Sequence, residues 1–220
     1  DGIELAGILC CPIFANEGVP DIPEGYMKSA VEMVRNAGGL VVIDEVQSGF
    51  CRTGNWWGYE TVGIEPDIVT MGKPMGNGLP LSAAAASQEI VEGYRSKSRY
   101  FNTFASSPLQ AATGMAVLQE IEDQDILHRV ANVGQYLRDN LNIYQDKVAA
   151  LGDIRSQGLF IGLDWVTDKT SLEPDRDGAV KVVNLMKEKG FLMSNAGEHD
   201  NVVKIRPPLV FQKEHADRFL

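Results

Sequence analysis

The chain has 220 residues, 44% apolar and 23% charged, with a formal net charge of −10. That length supports one sizeable core, or a large domain with a smaller companion. The acidic balance and scattered Lys and Arg exclude a nucleic-acid partner, and Cys10, Cys11 and Cys51, without a CxxC, give no disulfide framework and fit a reducing compartment. Ile3 to Phe14 is largely apolar and reads as a buried strand leading to a loop. Pro23 to Ala37 has a helical period with Tyr26, Ala30, Met33, Val34 and Ala37 on one stripe, started by Pro23 and stopped by Gly38-Gly39. Leu40 to Ile43 is the next strand, completing a β-α-β unit with parallel strands. Gln47 to Glu60 is a Gly-rich loop, and Ile68 to Met71 a further strand. Such β-branched runs read as strands buried on both faces.

Ser82 to Ser87 is a candidate short strand and Gln88 to Arg95 a short helix. Ser107 and Pro108 suit a helix start before the long patterns Leu109 to Glu122 and Ile126 to Val148. The second carries Val130, Val133, Leu137, Leu141 and Tyr144 on one stripe. After Gly152 the texture changes. Strands are expected at Ile154 to Gly158, Leu159 to Val166, Phe191 to Ser194 and Val202 to Arg206, with a helix at Asp177 to Lys189. The regular alternation is lost, so residues 1–150 are assigned to a large α/β domain and 151–220 to a small α+β domain. No apolar run is long enough to span a bilayer, so no membrane is expected. His128, His199 and His215 lack metal-ligand spacing, so no metal is expected. The chain starts at Asp1 and stops within a helical pattern, as a fragment of a longer protein would.

Two positions carry candidate chemistry. Asp44 ends one buried strand, and Lys73 follows another by two residues. Parallel strands deliver such residues to the carboxyl edge of the sheet, where α/β proteins place ligands. A phosphate loop would need Gly five residues before Gly72 and Ser or Thr after the Lys. Asp67 and Pro74 stand there instead. A dinucleotide fingerprint fails too, because Leu81 replaces the third Gly after Gly76 and Gly78. The remaining options for Lys73 are an amine nucleophile or a solvated strand-end lysine. Asp44 suits an acid that keeps a pyridine nitrogen protonated, or a helix cap or ion pair.

The stretch Asp44-Glu45-Val46-Gln47-Ser48-Gly49-Phe50-Cys51-Arg52-Thr53-Gly54, followed by Pro66-Asp67-Ile68-Val69-Thr70-Met71-Gly72-Lys73, resembles the class III (ω-type) aminotransferases of pyridoxal-phosphate fold type I. Phe101-Asn102-Thr103-Phe104, Gly158-Leu159-Phe160-Ile161-Gly162 and Ile205-Arg206-Pro207-Pro208 extend the resemblance over nearly the whole chain. It implies an α/β, mostly parallel sheet from part of the large domain, and pyridoxal 5'-phosphate as cofactor. By the same resemblance, Lys73 forms the Schiff base and shuttles a proton, and Asp44 pairs with the ring nitrogen. Gln47 approaches the phenolic oxygen, Val46 packs on the ring, Thr103 reaches the phosphate of a neighbouring subunit in a homodimer, and Arg206 receives a substrate carboxylate. The implied reaction moves an amino group from an amine or amino acid to a 2-oxo acid, in the cytoplasm or, in a eukaryote, the mitochondrial matrix. The alternatives are a phospho-lyase acting on an aminoalkyl phosphate and an inactive fragment retaining fold or dimerisation.

The chain departs from the family in three ways. Cys11 stands where many members have Glu, and a small buried residue is expected there. Ala105 and Ser106 replace frequent glycines. The family's Gly/Ser-rich phosphate cradle and ring-stacking aromatic are missing, so these 220 residues alone are expected to bind the cofactor weakly or not at all.

Overall fold

The β-branched runs form a sheet in the computed structural model, which describes every residue except Asp1, Ile3 and Ser106. Strands β1 (Gly7–Cys10), β2 (Leu40–Asp44) and β3 (Ile68–Met71) are parallel, in that order. β4 (Ala83–Ala86) pairs antiparallel with β3. The sheet is mostly parallel, as the sequence implies. The expected start of β1 at Ile3, and the departure from glycine at Ser106, lie outside the described residues.

Burial differs from expectation. β1 is an edge strand, and Leu9 is 67% exposed. In β2, Val41 and Ile43 are wholly buried while Leu40 is exposed, and all of β3 is half-buried. Within this chain the strands are therefore covered less than the two-faced burial that such apolar runs predict. Helix α1 (Tyr26–Asn36) packs on β1 and β2. It starts after Pro23 because Gly25, at φ 78°, breaks the turn that Pro23 opens. Its buried residues are Met27, Val31 and Val34, whereas Met33 of the predicted stripe is 72% exposed. The two candidate stripes differ by one residue, about 100° around the helix, and the sheet selects between them.

The β2–β3 register is fixed by a side chain. Asp67 Oδ2 accepts the Val41 amide at 2.7 Å, and the Asp67 amide donates to Val41 O at 2.8 Å. Arg35 holds the same corner through Glu65 O at 2.6 Å. Helices α2 (Gln88–Lys97), started by a Ser87 cap, and α3 (Pro108–Asp123), with Pro108 at its first turn, follow β4. These elements lie in the first of two compact units, formed by Asp1–Pro12, Pro23–Phe50 and Trp57–Asp125.

The second unit comprises Ile13–Ile22, Cys51–Trp56 and Ile126–Leu220. Its antiparallel sheet has the order β5 (Leu151–Gln157), β6 (Phe160–Trp165), β8 (Val202–Ile205), β7 (Ser194–Ala196). Helix α4 (Ile126–Gln145) buries Ile126, Val130, Val133, Leu137 and Leu141, leaving Tyr144 of the predicted stripe exposed. Gly134 lets α4 approach Gly158 so closely that a Cβ would strike that residue's backbone. Helices α5 (Arg176–Glu188) and α6 (Lys213–Phe219) complete the unit. The predicted strand at Phe191 starts later, at Ser194. The Phe191 amide instead closes α5 on Met186 O at 2.9 Å, and its ring meets Phe219 edge-on at 5.4 Å.

Candidate active site

Asp44 closes β2 and pairs in register with Thr70 of β3. Lys73 follows three residues later, so both lie at the carboxyl ends of neighbouring parallel strands. Asp44 is half-buried, and its Oδ1 accepts the Val46 amide at 2.9 Å, which fixes the carboxylate against the turn after β2. Val46 stands beside Gly72, where an added Cβ would lie 3.6 Å from Val46 Cγ2. The fold therefore brings Asp44, Val46 and the backbone next to Lys73 into one corner. Gln47 is half-buried on the same turn.

Lys73 is exposed and lines a cavity of about 660 Å³ with Gly72, Ser82, Asn102, Phe104 and Gln110. Thr103 sits, exposed, on the turn between the lining residues Asn102 and Phe104. Asn102 shapes that turn, since its Oδ1 accepts the Phe104 amide at 2.9 Å. Cys11 lies one residue past Cys10, the register partner of Ile43, and is half-buried rather than buried. Burial, helped by the neighbouring Cys11, raises the Cys10 thiol above its ordinary pKa.

Sequence reasoning missed Glu45. It is wholly buried and accepts three hydrogen bonds. Ser48 Oγ and the Gly58 amide donate to Oε2 at 2.7 and 2.9 Å, and the Tyr59 amide donates to Oε1 at 2.8 Å. The only sequence signal was its place beside Asp44, because its partners at residues 58 and 59 are remote in sequence.

Arg206 belongs to the second unit, just past β8. It is exposed, with its guanidinium carbon 6.0 Å from the Phe160 ring centroid. Beside it, Arg52 donates from Nη1 to Leu159 O at 3.1 Å and Pro207 O at 2.5 Å. Burial, with the adjacent Arg206 charge, lowers the Arg52 pKa to about 10.

The first unit offers an amine that opens into a cavity and, at the neighbouring strand end, a carboxylate oriented by the Val46 amide; Asp44 is not among the residues lining that cavity. These donors fit a cofactor that presents a carbonyl and a basic ring nitrogen: the amine can bond to the first, and the carboxylate can keep the second protonated. Among the described residues, no helix is long and apolar enough to cross a membrane.

Known proteins resemble this arrangement throughout. The family pattern described as Aminotransferase class-III matches residues 2–220. The chain is 40% identical over 213 residues to alanine–glyoxylate aminotransferase 2 homolog 2, mitochondrial, of Arabidopsis thaliana, covering 97% of this chain and 44% of that protein. It is 41% identical over 197 residues to ethanolamine-phosphate phospho-lyase homolog 1 of Caenorhabditis elegans, covering 88% and 42%. A phospholyase from Arthrobacter, solved in complex with phosphoethanolamine, superposes with a TM-score of 0.96 at 41% identity, covering 99% of this chain and 52% of that one. The chain thus spans about half the length of these relatives. With this match over its whole described length and with its parallel sheet, the chain belongs to the class III aminotransferase family and has the α/β fold of the fold type I transferases.

Proposed function

We propose that the protein to which this chain belongs is a pyridoxal-phosphate-dependent aminotransferase, moving an amino group from an amine or amino acid to a 2-oxo acid. The observation that carries this reading is the pair at the sheet's carboxyl edge: Asp44 held by the Val46 amide, and Lys73 opening into a cavity three residues past Asp44's register partner. When bound, pyridoxal 5'-phosphate supplies an electron sink for the carbon that loses its proton. Lys73 would hold the cofactor through its amine and would move a proton at the substrate carbon. Asp44 keeps a proton on the ring nitrogen. Val46 would pack on the ring face, and Gln47 would approach the ring's phenolic oxygen.

Thr103 serves the phosphate of the neighbouring subunit in a homodimer, which its exposed position favours. Phe101, Phe104, Leu109 and Met115 offer exposed apolar surface to such a partner. Arg206 receives a substrate carboxylate by bidentate hydrogen bonding. A reducing compartment, the cytoplasm or a mitochondrial matrix, fits the three thiols.

The phospho-lyase relatives favour a second reading, in which the substrate is an aminoalkyl phosphate and phosphate leaves. Incubating the full-length enzyme with phosphoethanolamine and no oxo acid separates the two. Phosphate release establishes the lyase, whereas amino transfer from alanine to an oxo acid establishes the transaminase. In either case Lys73→Ala abolishes the covalent cofactor absorbance band and reduces turnover by several orders of magnitude. A variant that kept both would remove Lys73 from its role.

A further inference from the structure

Between Phe50 and Trp57 the chain leaves the first unit and returns to it. The exit and return are tied together at one wholly buried carboxylate. Glu45 accepts Ser48 Oγ from the exit side, and the Gly58 and Tyr59 amides from the return side. All three partners donate, which suits a group that accepts on both oxygens. The approach is tight. A Cβ on Gly58 would lie 2.5 Å from Ser48 Cβ and 2.8 Å from Pro12 Cγ. Gly49 also lies close: a Cβ there would come within 3.1 Å of both the Glu45 and Trp57 side chains. Phe50 and Trp57 stack edge-on across the gap at 5.3 Å.

At its other end the same residue is part of the sheet, because the Glu45 amide donates to Thr70 O of β3 at 2.9 Å. Glu45 lies between Asp44 and Val46, and the Asp44 carboxylate depends on the Val46 amide for its orientation.

We propose that Glu45 is a positioning residue for the cofactor site: by bonding Ser48, Gly58 and Tyr59 at once, it fixes the turn that aims Asp44, Val46 and Gln47. This rests on the reading of Asp44 and Lys73 given above. A buried carboxylate serving stability alone would alter unfolding without changing how the site holds its cofactor. A positioning carboxylate changes both cofactor affinity and the environment of the ring nitrogen.

The test uses the full-length enzyme with Glu45→Gln and Ser48→Ala, and with Asp44→Asn and Lys73→Ala as references. Three quantities are read: the cofactor dissociation constant by spectrophotometric titration, the pH dependence of the bound cofactor's absorbance, and hydrogen exchange at the Gly58 and Tyr59 amides without cofactor. Glu45→Gln places an amide N–H₂ against donors, so it should speed exchange at one or both amides, weaken cofactor binding at least tenfold and shift the absorbance titration towards that of Asp44→Asn. Ser48→Ala, which keeps both amide bonds and should fold, should weaken binding a few-fold in the same direction. The proposal fails if exchange at Gly58 and Tyr59 quickens while cofactor affinity and titration stay as in the wild type. It fails equally if Ser48→Ala is silent and Glu45→Gln does not fold. If Asp44→Asn or Lys73→Ala leaves cofactor binding unchanged, the reading of the site itself fails instead.

Discussion

At the scale of single residues, neighbours decide what each charged or polar group can do. Tyr59 shows this through pH. Partial burial, with the charges of Glu60, Glu45 and Glu65, raises its hydroxyl above the ordinary value of 10.0. The folded state then holds the proton longer than the unfolded one. The associated stability is fully present below about pH 10 and is lost as pH rises through the folded value. Tyr59→Phe should therefore lose less stability than the wild type on the alkaline side. Denaturant midpoints measured from about pH 8 to 11 check this, and parallel decline of the two proteins would contradict it. Asp44 and Lys73 were visible in the sequence because each follows an apolar run that had to be a strand. Glu45 and Asp67 were not, since a buried acceptor is recognised by its donors. Those donors, at Gly58, Tyr59 and Val41, are set by chain reversals.

At the scale of elements, periodicity identified most of the helices and strands, and packing chose their faces. The α4 stripe was legible because Val130, Val133, Leu137 and Leu141 recur with helical spacing and no competing set. The α1 stripe was misread because Tyr26 and Met33 compete with Met27 and Val31. α4 gives a direct test. Leu137 is wholly buried, so Leu137→Ala should cost about 2–5 kcal/mol in chemical denaturation. Gly134→Ala should cost about 1–3 kcal/mol, although alanine has the higher helix propensity, because its methyl would meet the Gly158 backbone. A neutral or stabilising Gly134→Ala would show that α4 and the β5–β6 turn have room to separate.

At the scale of the whole molecule, much apolar surface is left without a covering partner. Phe101 is 84% exposed and Phe104 79%, and α2 buries no residue among those described. The 220-residue chain produced alone should bind a hydrophobic dye such as ANS and self-associate at micromolar concentration, as sedimentation would show. Spanning about half the length of its relatives, it should also give no stable covalent cofactor band when mixed with pyridoxal 5'-phosphate. A persistent band from this chain alone would show that Asp44, Val46, Gln47 and Lys73 suffice to hold the group.

The sequence by itself determined the mostly parallel sheet, the strand-end placement of Asp44 and Lys73, and the family. The first two follow from local patterns, β-branched runs with a helix between them, and the family from the resemblance of the motifs around Asp44 and Lys73. Only the tertiary structure decided which faces are buried, that segments 13–22 and 51–56 pack with the C-terminal unit, and that Glu45 joins the two ends of the excursion after β2. The physical reason is the same in each case. Burial and hydrogen-bond satisfaction depend on groups far apart along the chain, and these meet only after folding.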